Sequence, residues 1–123
     1  HKCIVNDKAH AVFNGKIIVR PHAQQTNSSQ SSRNLLLSKT AQIDTKPQLE
    51  IFADDVKCAH GATVGQLDQE EIFYLQSRGL SEATARSLLT YAFGAEIIDR
   101  ISVSSLRQQL EQTVLNQTRG NKL

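Results

Sequence analysis

The apolar pattern of this chain changes its period near residue 67, and that change limits the folds available to it. Before residue 67, apolar residues form short runs between polar stretches, without the length or spacing of a helix. After residue 67, they recur every three or four positions, as on one side of a helix. The sequence therefore predicts a mostly β part over residues 1–67, followed by C-terminal helices over residues 68–123.

Turn signals and polar runs divide the predicted β part. Asn14-Gly15 stands between two β-prone runs and predicts a tight turn. The run QQTNSSQSSRN, residues 24–34, fits a flexible linker and polar corners of stacked coils equally well. Short strands without helical crossovers favour a β-solenoid with parallel coils, and a small sandwich is the alternative.

Capping residues predict where the helices begin and end. Asp68 starts a capping pattern, and Gly79 is suited to end the first helix. Ser81 can cap a second helix over about residues 82–101, and a third helix is expected after Ser102. The second helix carries a continuous apolar stripe made of Ala85, Leu88, Leu89, Ala92, Phe93, Ile97 and Ile101.

Composition excludes several classes of protein. A net charge of +2 over 123 residues is too small to indicate a nucleic-acid or membrane-surface partner. Two cysteines are too few for a secreted disulfide scaffold of this length, so free thiols in a reducing compartment are expected. The sequence has no P-loop, nucleophile elbow or dinucleotide-binding glycine pattern, so this chain is not expected to bind a nucleotide by any of these motifs.

The stretch DDVKCAHGATVGQLD, residues 54–68, holds a Cys-x-His pair. If residues 56–60 are extended, Cys58 and His60 face the same side. A thiolate and an imidazole are suitable ligands for iron or an iron–sulfur cluster, but two ligands do not complete a tetrahedral site. The plainer interpretation is a cysteine that fills core space beside an ordinary histidine.

Several motifs resemble the SufB/SufD family of iron–sulfur cluster assembly proteins. They are VFNGKIIV, TKPQLEI, ADDVKCAHGATVG and FYLQSRG, and the likeness covers roughly residues 9–101 in the form typical of the SufD branch. Members of this family are several times longer, so the chain resembles a C-terminal fragment. The resemblance implies the end portion of a right-handed parallel β-helix followed by a small α-helical subdomain.

The resemblance also implies a role. It indicates a non-catalytic scaffold that pairs with a SufB-like subunit, or with a second copy of itself, and docks a SufC-like ABC-type ATPase through its C-terminal helices. His60, and less directly Cys58, are then expected at the subunit interface where clusters form. No tightly bound cofactor is expected in this chain alone, only a transient cluster at that interface. A bacterial cytoplasm or plastid stroma is the expected location.

The residues predicted to dock the ATPase lie in the C-terminal helices and include types that are common at protein interfaces. Arginine pairs with carboxylates through two parallel hydrogen bonds, and phenylalanine is a common interface anchor. The predicted docking set is Arg78, Gly79, Arg86, Leu89, Phe93 and Glu96. Alternatively, the apolar members pack inward and the arginines are solvated.

Two other functions compete with the scaffold hypothesis. One is an enzyme on a β-solenoid, such as a polysaccharide lyase or an acyltransferase, although neither clustered groove carboxylates nor hexapeptide repeats are visible. The other is a stand-alone metal-binding module that uses Cys58 and His60 within one chain.

Overall fold

The computed structural model describes residues 1–120, and the side chains of residues 1–118. The chain forms two compact units, a β unit of residues 1–66 and a helical unit that begins at Leu67. Residues 121–123 of the predicted helical part lie outside the described residues.

Five strands make up the β unit. They are β1 Lys2–Val5, β2 His10–Val19, β3 Asn27–Leu36, β4 Gln42–Ile51 and β5 Lys57–Gly65. Successive strands alternate between two sheets: β1, β3 and β5 form one sheet in that order, and β2 pairs with β4 in the other. All three pairings are parallel. Each strand therefore bonds to the strand two further along the chain.

The predicted right-handed parallel β-helix is wrong for this structure. The backbone hydrogen bonds form two separate sheets, one of three strands and one of two. No ladder joins the two sheets within residues 1–120, so the strands do not make a closed or solenoid sheet. The parallel pairing was predicted, whereas the continuous coil was not found.

The strands are longer than the apolar runs indicated, and this corrects two predictions. β2, β3 and β4 have ten residues each. The Asn14-Gly15 turn is absent, because Gly15 lies inside β2 and pairs with Pro47 of β4. The polar run 24–34, predicted as a linker or corner, lies mostly in β3 at the centre of its sheet. Alternate burial along β2 and β4 follows the period of two that a strand imposes.

The described part of the helical unit forms three helices: α1 Gln69–Ser77, α2 Glu82–Ile98 and α3 Ser104–Gly120. The predicted caps are confirmed, since Asp68 accepts a hydrogen bond from the Glu70 amide at 2.8 Å and Ser81 accepts one from the Thr84 amide at 3.2 Å. Gly79 has φ of +95°, the left-handed conformation that ends a helix. α2 stops at Ile98, three residues before its predicted end.

The helices pack through small and apolar side chains. The buried residues of α1 and α2 are Ile72, Ala85, Thr90, Gly94 and Ile98. Ser87 Oγ donates a hydrogen bond to the Thr118 carbonyl oxygen at 3.3 Å, which ties α2 to α3. α2 thus contacts both of the other helices, and one of its faces is left for a groove described below.

Candidate functional site

Strand β5 positions the Cys-x-His pair. In the parallel register with β3, Cys58 pairs with Ser28 and His60 pairs with Gln30. Residues two apart in a strand face the same side, so both side chains share the face on which Ser28 and Gln30 lie. β5 is the outer strand of its sheet and bonds only to β3. His60 is accordingly exposed, and Cys58 is half-buried.

The pair does not form a complete metal site within the described part of the chain. Residues 1–120 contain no group of three or more His, Cys, Asp or Glu side chains that could hold a metal ion. A sulfur and a nitrogen donor on one exposed strand face can contribute two ligands, and a tetrahedral centre needs four. Any further ligands would have to come from outside the described residues.

The second cysteine lies too far away to join this pair. Cys3 of β1 pairs with Asn34, which is six residues along β3 from Ser28, the partner of Cys58. At about 3.3 Å per residue along a strand and about 4.8 Å between strands, the two Cα atoms are roughly 20 Å apart. A disulfide needs less than about 7 Å. Both cysteines are free, as predicted.

The surroundings of Cys3 disfavour its thiolate form. Burial raises the pKa of the Cys3 thiol, because the thiolate loses solvation. A thiol held protonated is a poor nucleophile and a poor ligand. The raised pKa and the distance from Cys58 both leave Cys3 outside the candidate site.

A polar network occupies the interior of the β unit, and the sequence analysis missed it. Ser32 is fully buried, and its Oγ lies 3.2 Å from Thr45 Oγ1 and 3.1 Å from Asn34 Nδ2. Asn34 Nδ2 also donates to the Thr63 carbonyl oxygen at 3.0 Å, which ties the centre of β3 to β5. His1 Nδ1 lies 3.2 Å from Ser32 Oγ. A sequence signal for this network was present. Ser32 and Asn34 stand two positions apart in the polar run 24–34, which is the spacing of residues on one face of a strand.

Gln30 lies on the same interior face and is held closely by β2. A Cβ on Gly15 would come 2.8 Å from Gln30 Cδ, closer still to Gln30 Nε2, and 2.8 Å from Phe13 Cζ. The Phe13 ring stacks on His1 with centroids 4.0 Å apart. Gln30 Oε1 is buried and has no hydrogen-bond partner. An unpartnered buried acceptor costs about 1–3 kcal/mol, so this atom calls for an explanation.

The helical unit carries a groove between α1 and α2. Its volume is about 630 Å³, with an apolar part formed by Tyr74, Leu75, Leu88, Leu89 and Ala92 and an acidic part formed by Asp68, Glu70 and Glu71. Tyr74 and Leu88 are 61% and 46% exposed, so the apolar surface is open to a partner. Among the side chains that the structure describes, no cationic one lines the groove.

The predicted docking set only partly coincides with this groove. Leu89 lines it, whereas the other five members do not. Arg78 is the exposed C-cap of α1, and Gly79 follows it in the connection to α2. On α2, Arg86 and Phe93 are half-buried, and Glu96 is exposed. The apolar stripe predicted for α2 contained Leu88 and Ala92, but the contribution of α1 and the acidic part were missed.

Comparison with known proteins places the chain in a family. A family model described as the SufBD core domain of the SUF system for FeS cluster assembly matches residues 1–93. The chain belongs to this SufBD core family.

The similar curated proteins agree with the family. The iron–sulfur cluster assembly protein SufD of Escherichia coli is 54% identical over 110 residues, 89% of this chain and 26% of that protein. A SufBD family protein of Synechocystis is 55% identical over 93% of this chain and 25% of its own length. The chloroplastic protein ABCI7 of Arabidopsis thaliana is 44% identical over 93% and 24%, respectively. The chain thus spans about a quarter of the length of these relatives. Among the described residues, the helices are neither long nor apolar enough for one to cross a membrane.

Proposed function

We propose that this chain is a non-catalytic subunit of a Suf-type machinery that assembles iron–sulfur clusters. In this proposal the β5 side of the β unit pairs with a SufB-like subunit, or with a second copy, and the helical unit docks a SufC-like ABC-type ATPase. The cluster is cargo, held transiently between subunits. The bacterial and chloroplastic relatives support a place in the bacterial cytoplasm or the plastid stroma.

The observation that carries the proposal is the half-complete ligand pair on an exposed strand. His60 is exposed and Cys58 half-buried, and they share one strand face beside an edge that no described strand covers. Sulfur and imidazole donors suit iron and iron–sulfur clusters. An unpaired strand edge also offers backbone hydrogen bonds to another chain. A partner that pairs with the free edge of β5 could therefore also supply the missing ligands beside Cys58 and His60.

The groove of the helical unit supports docking of the ATPase. Its apolar part can take the buried face of a partner helix, and the acidic part favours lysine or arginine along the edge of that helix. Leu89 connects this surface to the residues predicted from sequence. Arg78, Gly79, Arg86, Phe93 and Glu96 lie outside the groove lining and are assigned to the periphery of the contact.

Calorimetric titration of the chain with a SufC-like ATPase tests the docking. Leu88→Gln, inside the groove, is expected to weaken binding about tenfold or more, because a central apolar contact is lost. Ile97→Gln is the matched control, since Ile97 is a similarly exposed aliphatic residue of α2 outside the groove, 41% against 46% exposed. Equal effects of the two substitutions would remove the groove from the contact. No binding by the folded wild-type chain would overturn the docking proposal.

Iron and sulfide content of the reconstituted complex tests the role of the Cys-x-His pair. His60→Ala and Cys58→Ala are expected to lower the cluster content of the complex while the isolated chain binds no iron tightly. Tight iron binding by the isolated chain, lost in both variants, would favour the stand-alone metal-binding module. Unchanged cluster content in both variants would remove the pair from cluster assembly.

A further inference from the structure

We propose that Gln30 is a positioning residue for His60: its side-chain oxygen accepts the imidazole N–H of His60 and so fixes which ring nitrogen carries the proton. The importance of that selection rests on the function proposed above for His60. The hydrogen bond itself does not rest on it and can be measured without iron or a partner.

The strand register brings the two side chains together. Gln30 and His60 are paired neighbours on the parallel strands β3 and β5. Neighbouring strands lie about 4.8 Å apart, and paired residues project from the same face of the sheet. The Gln30 side chain is therefore the neighbour of the imidazole on β3, and both side chains are long enough to meet.

Each side chain lacks what the other supplies. Gln30 Oε1 is a buried acceptor without a donor. Among the described residues, none is found hydrogen-bonded to the His60 ring. A neutral imidazole has one N–H donor and one acceptor nitrogen. His60 is exposed, so much of its ring faces solvent rather than packed side chains.

Gly15 makes the position of Gln30 possible. A Cβ at residue 15 would collide with the Gln30 amide, with Nε2 nearest to it. The amide nitrogen therefore packs against β2, and the oxygen lies on the other branch of the planar amide. Glycine inside an otherwise regular strand marks a close approach of this kind.

Fixing the proton has a chemical consequence. A histidine that binds a metal through one nitrogen commonly donates the other N–H to a carbonyl or carboxylate oxygen, which sets the tautomer and the ring orientation. The Gln30 carbonyl oxygen would play this part for His60. The free nitrogen of His60 would then be presented to cargo with its lone pair available.

Nitrogen NMR of the imidazole rings measures the tautomer directly. Long-range ¹H–¹⁵N spectra of the 123-residue chain distinguish the protonated from the unprotonated ring nitrogen, and the His60→Asn spectrum assigns the His60 signals. Gln30→Leu removes the acceptor and is expected to shift the tautomer ratio of His60 roughly two- to tenfold, the effect of losing one neutral hydrogen bond. Gln48→Leu is the matched control, because Gln48 is an exposed strand glutamine on the outer face of β4.

Two further variants separate positioning from packing. Gln30→Glu keeps an acceptor oxygen and is expected to restore a single dominant tautomer. Gly15→Ala leaves the amide present but displaces it, and is expected to reproduce the effect of Gln30→Leu. Gln30→Asn, which withdraws the oxygen by one methylene, replaces the leucine variant if that variant does not fold.

Three outcomes would overturn the inference. They are a tautomer ratio that Gln30→Leu leaves unchanged, an equal change in Gln48→Leu, or a failure of Gln30→Glu to restore a single dominant tautomer. A confirmed tautomer effect combined with unchanged cluster content in His60→Ala would reject the proposed function and retain the hydrogen bond.

Discussion

Gly15 occupies the middle of a ten-residue strand, a place where glycine is normally disfavoured because it loses more backbone entropy than other residues. The structure supplies a steric reason for it, since Gln30 and Phe13 fill the space that a Cβ would need. By contrast, a Cβ added to Gly61 or Gly65 of β5 would meet no other atom within 4 Å. The same residue type is thus required at one site and replaceable at two others.

Alanine substitution tests that difference. Gly15→Ala is expected to lower the free energy of unfolding by about 1–3 kcal/mol, the usual cost of overpacking an interior. Gly65→Ala is expected to change it by less than about 0.5 kcal/mol, as exposed substitutions usually do. Urea denaturation of the two variants beside wild type gives both values. Equal losses would show that backbone freedom, rather than space, explains Gly15.

Cys3 gives a residue-scale prediction about pH. Burial raises the pKa of its thiol, so the folded chain holds this proton at pH values where the unfolded chain has released it. Its contribution to stability is then fully present below the ordinary thiol pKa and is lost as pH rises above it, from about pH 9 upward. The fall in unfolding free energy between pH 8 and pH 10 is expected to be less steep in Cys3→Ala than in wild type. Identical slopes would exclude a difference in Cys3 protonation between the folded and unfolded chain.

At the scale of elements, local chemistry determined what could be predicted. Asp68, Gly79 and Ser81 mark the ends of helices through bonds to residues two to four positions away, so the sequence shows them directly. The strands could not be read in the same way. Ser32 and Asn34 are buried polar residues whose partners include Thr45 and the Thr63 carbonyl oxygen, 13 and 29 positions away.

The candidate site divides along the same line. The shared face of Cys58 and His60 follows from the period of a strand and was predicted. The neighbour of His60 was not predicted, because Gln30 lies beside it only through the pairing of β3 with β5. The groove likewise depends on how α1 packs on α2, which the apolar stripe of α2 alone does not determine.

The end of α1 provides a prediction for one element. The Gly79 amide donates to the Gln76 carbonyl oxygen at 2.9 Å, and the Leu80 amide donates to the Leu75 carbonyl oxygen at 3.2 Å. This pair of bonds requires the left-handed conformation that Gly79 adopts at φ of +95°. Gly79→Ala is expected to cost about 1 kcal/mol of unfolding free energy. Gly79→Asn should cost less, because asparagine tolerates that conformation better than alanine. Thermal melts followed by circular dichroism at 222 nm measure both losses of unfolding free energy. An equal or larger loss for asparagine would contradict this explanation.

At the scale of the whole molecule, the two compact units divide the proposed work. The β unit carries the ligand pair, and the helical unit carries the groove. Each feature is built entirely from residues of its own unit. If the function proposed here holds, substitutions in one unit should spare the function of the other.

A paired substitution experiment tests this division. Leu88→Gln is expected to weaken binding of a SufC-like ATPase at least about tenfold while leaving association with a SufB-like subunit unchanged, because the groove lies wholly in the helical unit. His60→Ala should lower the iron and sulfide bound per complex and leave the ATPase affinity unchanged. His60 is exposed, so its loss removes a ligand without disturbing a core. Calorimetry and iron and sulfide analysis of the same two preparations give all the values. Sites that act independently have additive effects, so the double variant should show both losses and no more. A His60→Ala chain with weakened ATPase binding would instead show that the ligand strand and the groove are energetically coupled, and the division of labour between the units would be wrong.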